Sequence, residues 1–419
     1  MKKPGLILFC LILFFGSCIS NKTITSGNKI IIGTIDSIYS KVLNEERKIW
    51  VYIPYNDNVY ATQNYPVVYL LDGDTHFYSV MGMIQKLSGE VNVLPQMIVI
   101  GITNTDRMRD LTSSHASISP PFSDTLFLRT SGGGENFTSF IEKELIPHVD
   151  SLYPTAPYRI LIGHSLGGLF VLNTLINHTK LFNSYISIDP SIDWDNHKLV
   201  NQAKSVLEEK DFEGTSLFLA IGNTISENLD TLKVKKDTTS QTLPLRLNFE
   251  LGRFIDANRK NKLKSDWKYY QHDDHSSVPF IAEYDGLRFI FDYYNLSVFQ
   301  SQYLDPSFNL DSLFKAHYLE VSNHIGYQMA PPESFVNMYA YSFIWMKQYQ
   351  KASGLLKMNI DNFPNSSNVY NSMGDLLILT GDTTGAIENY EKSLKLNPQN
   401  GNAKNIIKNF NDKSRKPGQ

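Results

Sequence analysis

The sequence predicts an α/β fold with a mostly parallel sheet, followed by an all-α module of helical repeats. Three observations carry that expectation. Short apolar runs alternate with helix-spaced segments from Ile30 to about Leu296, strand-like runs vanish after about Ser301, and a Gly-rich turn at Gly163–Gly167 joins a strand to an apolar helix. At 419 residues the chain exceeds one ordinary domain, and 42% hydrophobic residues suffice for a packed core. The formal net charge of -3 leaves no basic stripe, so nucleic acid is not an expected partner.

Residues 1–17 read as an export signal, outside the fold proper. Lys2 and Lys3 precede the apolar Leu6 to Phe15, then Gly16, Ser17 and Cys18 follow. This is the arrangement of a bacterial lipoprotein signal, with cleavage before Cys18 and lipid on its thiol; the alternative is an ordinary secretory signal. The other cysteine, Cys10, lies in the removed segment, so the mature chain has no disulfide and no thiol catalyst. The expected setting is the cell envelope, lipid-anchored on the periplasmic or outer surface, or the secreted fraction under the alternative. Membrane attachment is through the lipid only.

Residues 18–29 are a polar tether, and 30–300 form the α/β domain. Ile49–Tyr55, Val67–Leu71, Met97–Ile102, Arg159–Gly163, Ser184–Ile188 and Ser216–Ile221 are β-branched or apolar runs suited to strands buried on both faces. Phe137, Ile141, Leu145 and Val149 recur every fourth residue, as one face of a helix does. Residues 301–332 read as a helical linker and 333–412 as tetratricopeptide-like repeats. Ala352, Leu356 and Pro364 recur 34 residues later as Ala386, Tyr390 and Pro398, with Gly374 and Gly381 at small-residue positions. A plain helical hairpin is the alternative. The apolar face of two such repeats needs a cover: the α/β domain through the helical stretch Asp311 to Val321, or else a protein partner or a second copy of the chain.

The chemistry centres on Gly163-His164-Ser165-Leu166-Gly167, which follows the strand Arg159–Ile162 and opens the helix Gly168–Asn177. This is a nucleophile elbow, a tight turn that presents Ser165 at the sheet edge, with glycines where side chains have no room. A serine hydroxyl needs a base, and in this fold the chain order is Ser, then acid, then His. His275, in Gln271-His272-Asp273-Asp274-His275-Ser276-Ser277, is the expected base, with His272 as competitor. A metal site on these histidines and aspartates is disfavoured, because ligands on one short turn seldom converge. Neither a metal nor a cofactor is expected. The acid is sought after Ser216–Ile221, where Glu227 is preferred and Asp230 is the alternative. The oxyanion donors are expected at the N–H of Leu166 and in the Gly73–Asp74 turn. Tyr78 and Trp194 flank these loops and could stack on a ring, although packing is the simpler role for each.

Together these blocks resemble the esterase family of α/β-hydrolases that holds esterase D, enterochelin esterases, feruloyl esterases and mycolyltransferases. Tyr69-Leu70-Leu71-Asp72-Gly73, Arg109-Asp110-Leu111-Thr112, Glu144-Leu145-Ile146-Pro147, Gly163 to Gly168 and Asp274-His275-Ser276-Ser277-Val278-Pro279 carry the resemblance, over about Ile35 to Tyr294. It implies Ser165 and His275 as catalytic residues, and Asp74 as the second oxyanion donor. It also implies an acid where Ile225 stands, so the sequence departs from the family there. The reaction implied is carboxylic-ester hydrolysis, here expected to run through an acyl-enzyme, and the resemblance does not carry over a substrate. A small-molecule ester such as a siderophore ester, or a carbohydrate-linked acyl ester, is expected because both occur in the envelope or outside the cell. An acyltransferase of the same fold is an alternative, as is an inactive envelope scaffold that binds partners through its repeats.

Overall fold

The computed structural model describes residues 30–54, 63–89, 91–117, 125–225, 231–305 and 307–414. Eight strands form one sheet: β1 Thr34–Ser40, β2 Glu45–Tyr52, β3 Tyr65–Leu70, β4 Ile98–Ile102, β5 Thr155–His164, β6 Ser184–Ile188, β7 Ser216–Gly222 and β8 Lys264–Tyr270. Their order is β1-β2-β4-β3-β5-β6-β7-β8. The β1–β2 and β2–β4 pairs are antiparallel, and every pair from β4 to β8 is parallel. Central strands β3, β4, β6 and β7 are buried at every residue, as their unbroken apolar runs require.

Helices cover both faces. Gly73–Ser88 returns the chain from β3 to β4, Leu166–Asn177 from β5 to β6, and Trp194–Glu209 from β6 to β7. The helical stretch from Gly134 to Leu152 contains a π-turn at Ile141–Leu145. Spacing of four residues drifts around an α-helix of 3.6 residues per turn. The wider π-turn reduces that drift, and Phe137, Ile141, Leu145 and Val149 are all buried.

The chain continues through six longer helices: Leu310–Ile325, Glu333–Trp345, Tyr349–Asn362, Ser367–Thr380, Thr383–Leu396 and Gly401–Ser414. Ala352, Leu356, Ala386 and Tyr390 are buried between them. A side chain at Gly374 would strike the Tyr390 ring at 2.8 Å, and Gly381 ends its helix at φ 86°. The stretch 301–332 holds a packed helix: Phe314, Tyr318 and Val321 of Leu310–Ile325 are buried. Tyr318 crosses Tyr294 edge-on at 6.0 Å, and His317 Nε2 lies 2.9 Å from the Tyr294 carbonyl. One turn earlier on the same helix Phe314 meets Phe335 and Tyr339, so this helix joins the sheet domain to the later helices. Among the described residues no helix is long and apolar enough to cross a membrane. Cys18 and the expected export signal lie outside the described residues.

Candidate active site

The C-terminal ends of β5, β6 and β8 bring three side chains together. Ser165 follows β5 at φ 60°, ψ -117°, a conformation that costs about 1–3 kcal/mol for a non-glycine residue and holds only where its surroundings impose it. Those surroundings are visible. A side chain at Gly163 would lie 2.5 Å from the Gly167 carbonyl oxygen, and one at Gly168 2.9 Å from that of Ile188. Ser165 N donates to the Ile188 carbonyl at 3.0 Å, tying the turn to the end of β6.

His275 sits on the turn between β8 and the helix Val278–Ile290. Asp274 fixes that turn by accepting from Ser276 N and Ser277 N, both at 2.9 Å. His275 Nε2 is 3.1 Å from Ser165 Oγ, and His275 Nδ1 is 2.6 Å from Asp189 Oδ2. With Nδ1 protonated, the imidazole donates to the carboxylate and accepts from the serine hydroxyl. His272 is exposed on the same turn, and no three His, Cys, Asp or Glu side chains among the described residues could hold a metal ion.

The carboxylate on His275 is therefore one the sequence analysis did not select. Glu227 and Asp230 lie outside the described residues. Asp189 directly follows β6, the strand beside β5, and β6 ends in register with β5 at Ile188 and His164. The end of β7 takes part, because Gly222 N donates to Asp189 Oδ1 at 3.0 Å and leaves Oδ2 for the imidazole. Asp189 is only 6% exposed, with φ 38°. The available signal was an Asp at the end of a buried strand next to the nucleophile's own. The left-handed backbone that aims it is not visible in sequence.

The turn after β3 faces the elbow. Gly73 and Asp74 are the first two residues of Gly73–Ser88, and Leu166 is the first of Leu166–Asn177, so none of their N–H groups has an intrahelical acceptor. Asp72, at φ 51°, is braced by Arg107 (Nε 2.7 Å, Nη2 3.0 Å) and Asn104 (2.7 Å), and Arg107 Nη2 also reaches the His164 carbonyl at 3.2 Å. Burial pushes the Asp72 carboxyl up, but the Arg107 guanidinium outweighs it, and the group stays below its ordinary range. Thr105, Asp106, Arg107, Met108, Leu126, Thr130 and Leu166 line an open cleft of about 380 Å³ beside this turn.

Two further histidines lie alongside. The His164 ring is 4.5 Å from that of His275 and 5.9 Å from that of His76. Burial, then the neighbouring histidine charges, push His164 down to about 4, so it is neutral near pH 7. His76 Nδ1 is 3.0 Å from the buried Glu283, which also accepts from Ser79 Oγ at 3.2 Å. Burial opposes the His76 charge, but Glu283 prevails and raises it. Trp194 is 3% exposed and donates from Nε1 to the Ser114 carbonyl at 3.0 Å, which makes it a packing residue. Tyr78 is 58% exposed, edge-on to Trp50 at 5.6 Å.

Sheet order and elbow define the class, an α/β-hydrolase with a serine at the nucleophile position. The family model described as Putative esterase matches residues 40–280, and the chain belongs to that family; it is a carboxylic ester hydrolase. It is 31% identical over 192 residues to the ferri-bacillibactin esterase BesA of Bacillus subtilis, a match covering 43% of this chain and 66% of that one. To the siderophore triacetylfusarinine C esterase of Aspergillus fumigatus it is 25% identical over 243 residues, 54% of this chain and 82% of the relative. The crystal structure of an IroE-like serine hydrolase from Shewanella oneidensis superposes with a TM-score of 0.66 at 26% identity, covering 78% of this chain and 98% of that one.

Proposed function

We propose that the chain is a serine esterase of siderophore esters that works through Ser165, His275 and Asp189. The observation that carries this reading is His275, with one ring nitrogen on the Ser165 hydroxyl and the other on a buried carboxylate. His275 takes the Ser165 proton as Oγ attacks the ester carbonyl, and Asp189 stabilises the resulting imidazolium. The N–H groups of Leu166 and Asp74 receive the oxyanion, and His275 then protonates the departing alcohol. Water, activated by the same imidazole, releases the acid from Ser165.

The substrate class rests on relatives described as esterases of ferri-bacillibactin and of triacetylfusarinine C. The setting in this proposal is the bacterial envelope, with Cys18 as the lipid anchor. The helices from 333 to 412, with their 34-residue recurrence, are read as tetratricopeptide-like repeats and as a docking surface for a protein partner. The test is hydrolysis of a panel by the chain lacking its first 18 residues: enterobactin, triacetylfusarinine C, feruloylated sugars and p-nitrophenyl esters. Siderophore esters should give the highest kcat/KM. Ser165→Ala should lose at least about four orders of magnitude in kcat on every substrate while melting as wild type. A feruloyl preference, or a Ser165→Ala variant with a tenth of the rate, overturns the reading.

A further inference from the structure

The loop that carries Asp189 also brings a second hydroxyl to the nucleophile. Ser191 Oγ lies 3.2 Å from Ser165 Oγ, on a loop anchored at several points. Ser191 N donates to the Ser165 carbonyl at 3.1 Å, Trp194 N donates to the Ser191 carbonyl at 3.2 Å, and Asn248 Nδ2 donates to the Pro190 carbonyl at 3.1 Å. The Ser165 hydroxyl has one proton and two lone pairs. In the reactive arrangement that proton points to His275 Nε2, so the contact with Ser191 must run the other way, with Ser191 as donor.

We propose that Ser191 is a further catalytic residue, whose hydroxyl donates to Ser165 Oγ as that atom departs from the acyl carbon. The inference rests on the acyl-enzyme reading above. In deacylation the water oxygen bonds to the acyl carbon, and a water proton passes to His275 Nε2. The bond from that carbon to Oγ then breaks, its electron pair stays on Oγ, and His275 returns the proton there. The ester oxygen of the acyl-enzyme is a poor acceptor, whereas the departing oxygen, with alkoxide character, is a strong one. The Ser191 hydrogen bond therefore strengthens between acyl-enzyme and transition state, which is the condition for catalysis. In acylation the starting point is the Ser165 hydroxyl, already a good acceptor, so much less is gained. Ser191 should serve the second half-reaction more than the first.

The experiment is stopped-flow hydrolysis of an activated p-nitrophenyl ester by the full chain and its Ser191→Ala and Ser191→Thr variants. Acylation by such an ester is fast, so kcat reports deacylation. Ser191→Ala should lower kcat and KM together by about tenfold, hold kcat/KM within about twofold, and show a full burst of p-nitrophenol with the acyl group on Ser165. Ser191→Thr, which keeps a hydroxyl, should recover most of kcat. If kcat/KM falls with kcat at constant KM, or if neither constant changes, the Ser191 assignment is overturned while the acyl-enzyme stands. If no acyl group is found on Ser165 in any quenched sample, the acyl-enzyme reading fails and the Ser191 assignment falls with it.

Discussion

Asp189 has two carboxylate oxygens and two fixed partners, the Gly222 N–H and the His275 ring. A buried carboxylate so held is a strong orienting group, since turning it away from the imidazole breaks both bonds at once. Replacing it by Asn keeps the shape but lets the amide donate to Nδ1, which moves the ring proton to Nε2 and blocks acceptance from Ser165. Asp189→Asn should lower kcat by about three to four orders of magnitude. Glu227→Gln should leave kcat within about twofold. Ester hydrolysis by the two variants decides the matter, and the reverse pattern would move the acid to the loop after β7. The meeting of Ser165 and His275 was legible because each belongs to a contiguous motif whose spacing encodes its own turn. The carboxylate that meets the His275 ring was not, because its identity depends on which strand end stands beside the imidazole. That is a property of sheet order and of one left-handed residue.

Elements buried on both faces were the legible ones. Ser184–Ile188 was read to the residue, and β3, β4 and β7 to within two residues at either end. The edge strand β1 was missed for a physical reason. Its outward residues include Ile35 and Tyr39, and its inward ones Asp36 and Ser40 on either side of Ile38, so the usual alternation is broken. Inside this edge a charged network joins β2 to the segment 103–112. Arg47 is buried and bonded to Asp110 at 2.5 Å, and Arg109 grips Glu45 at 2.7 and 3.0 Å and Asp110 at 2.7 Å. Arg109 holds the Glu45 carboxyl down to about 2 from its ordinary 4.5, against burial and with help from Thr105 and Arg47. A carboxyl depressed on folding stabilises the fold fully above its unfolded value and loses that contribution as pH falls toward its folded one. Between pH 5 and pH 3 the wild-type chain should thus lose about 2 kcal/mol through Glu45 alone. Glu45→Gln should lack that part of the decline. Thermal melts of both proteins at the two pH values measure it, and parallel declines would remove Glu45 as the cause.

At the scale of the molecule, chemistry and helical module occupy opposite ends of the parallel strands. Ser165 and Asp189 follow the C-terminal ends of β5 and β6, and His275 follows β8. The helix Leu310–Ile325 instead meets Tyr294, beyond the far end of Val278–Ile290, and Tyr318 lies 3.5 Å from Asn92, which precedes β4. Tyr158, near the start of β5, packs on Phe291 in the same region. The sequence indicated that a helical cover was needed, because two hairpins leave an apolar face. Which end of the strands it covers was not legible, since that depends on where the last helix of the sheet domain ends. This separation sets the outcome of disrupting the junction. Tyr318 is 3% exposed and packed between Tyr294 and Phe314, so Tyr318→Ala removes a buried ring at a cost of about 3 kcal/mol. The melting temperature should fall by several degrees. Because the junction lies at the opposite ends of the strands from Ser165, Asp189 and His275, kcat/KM on a p-nitrophenyl ester below the transition should stay within about twofold. Truncation after Ser301 should destabilise further, since it uncovers Tyr294 and Asn92 together. A Tyr318→Ala protein that melts like wild type, or that loses activity before it loses structure, would show that the junction does not work as a structural cover remote from the site.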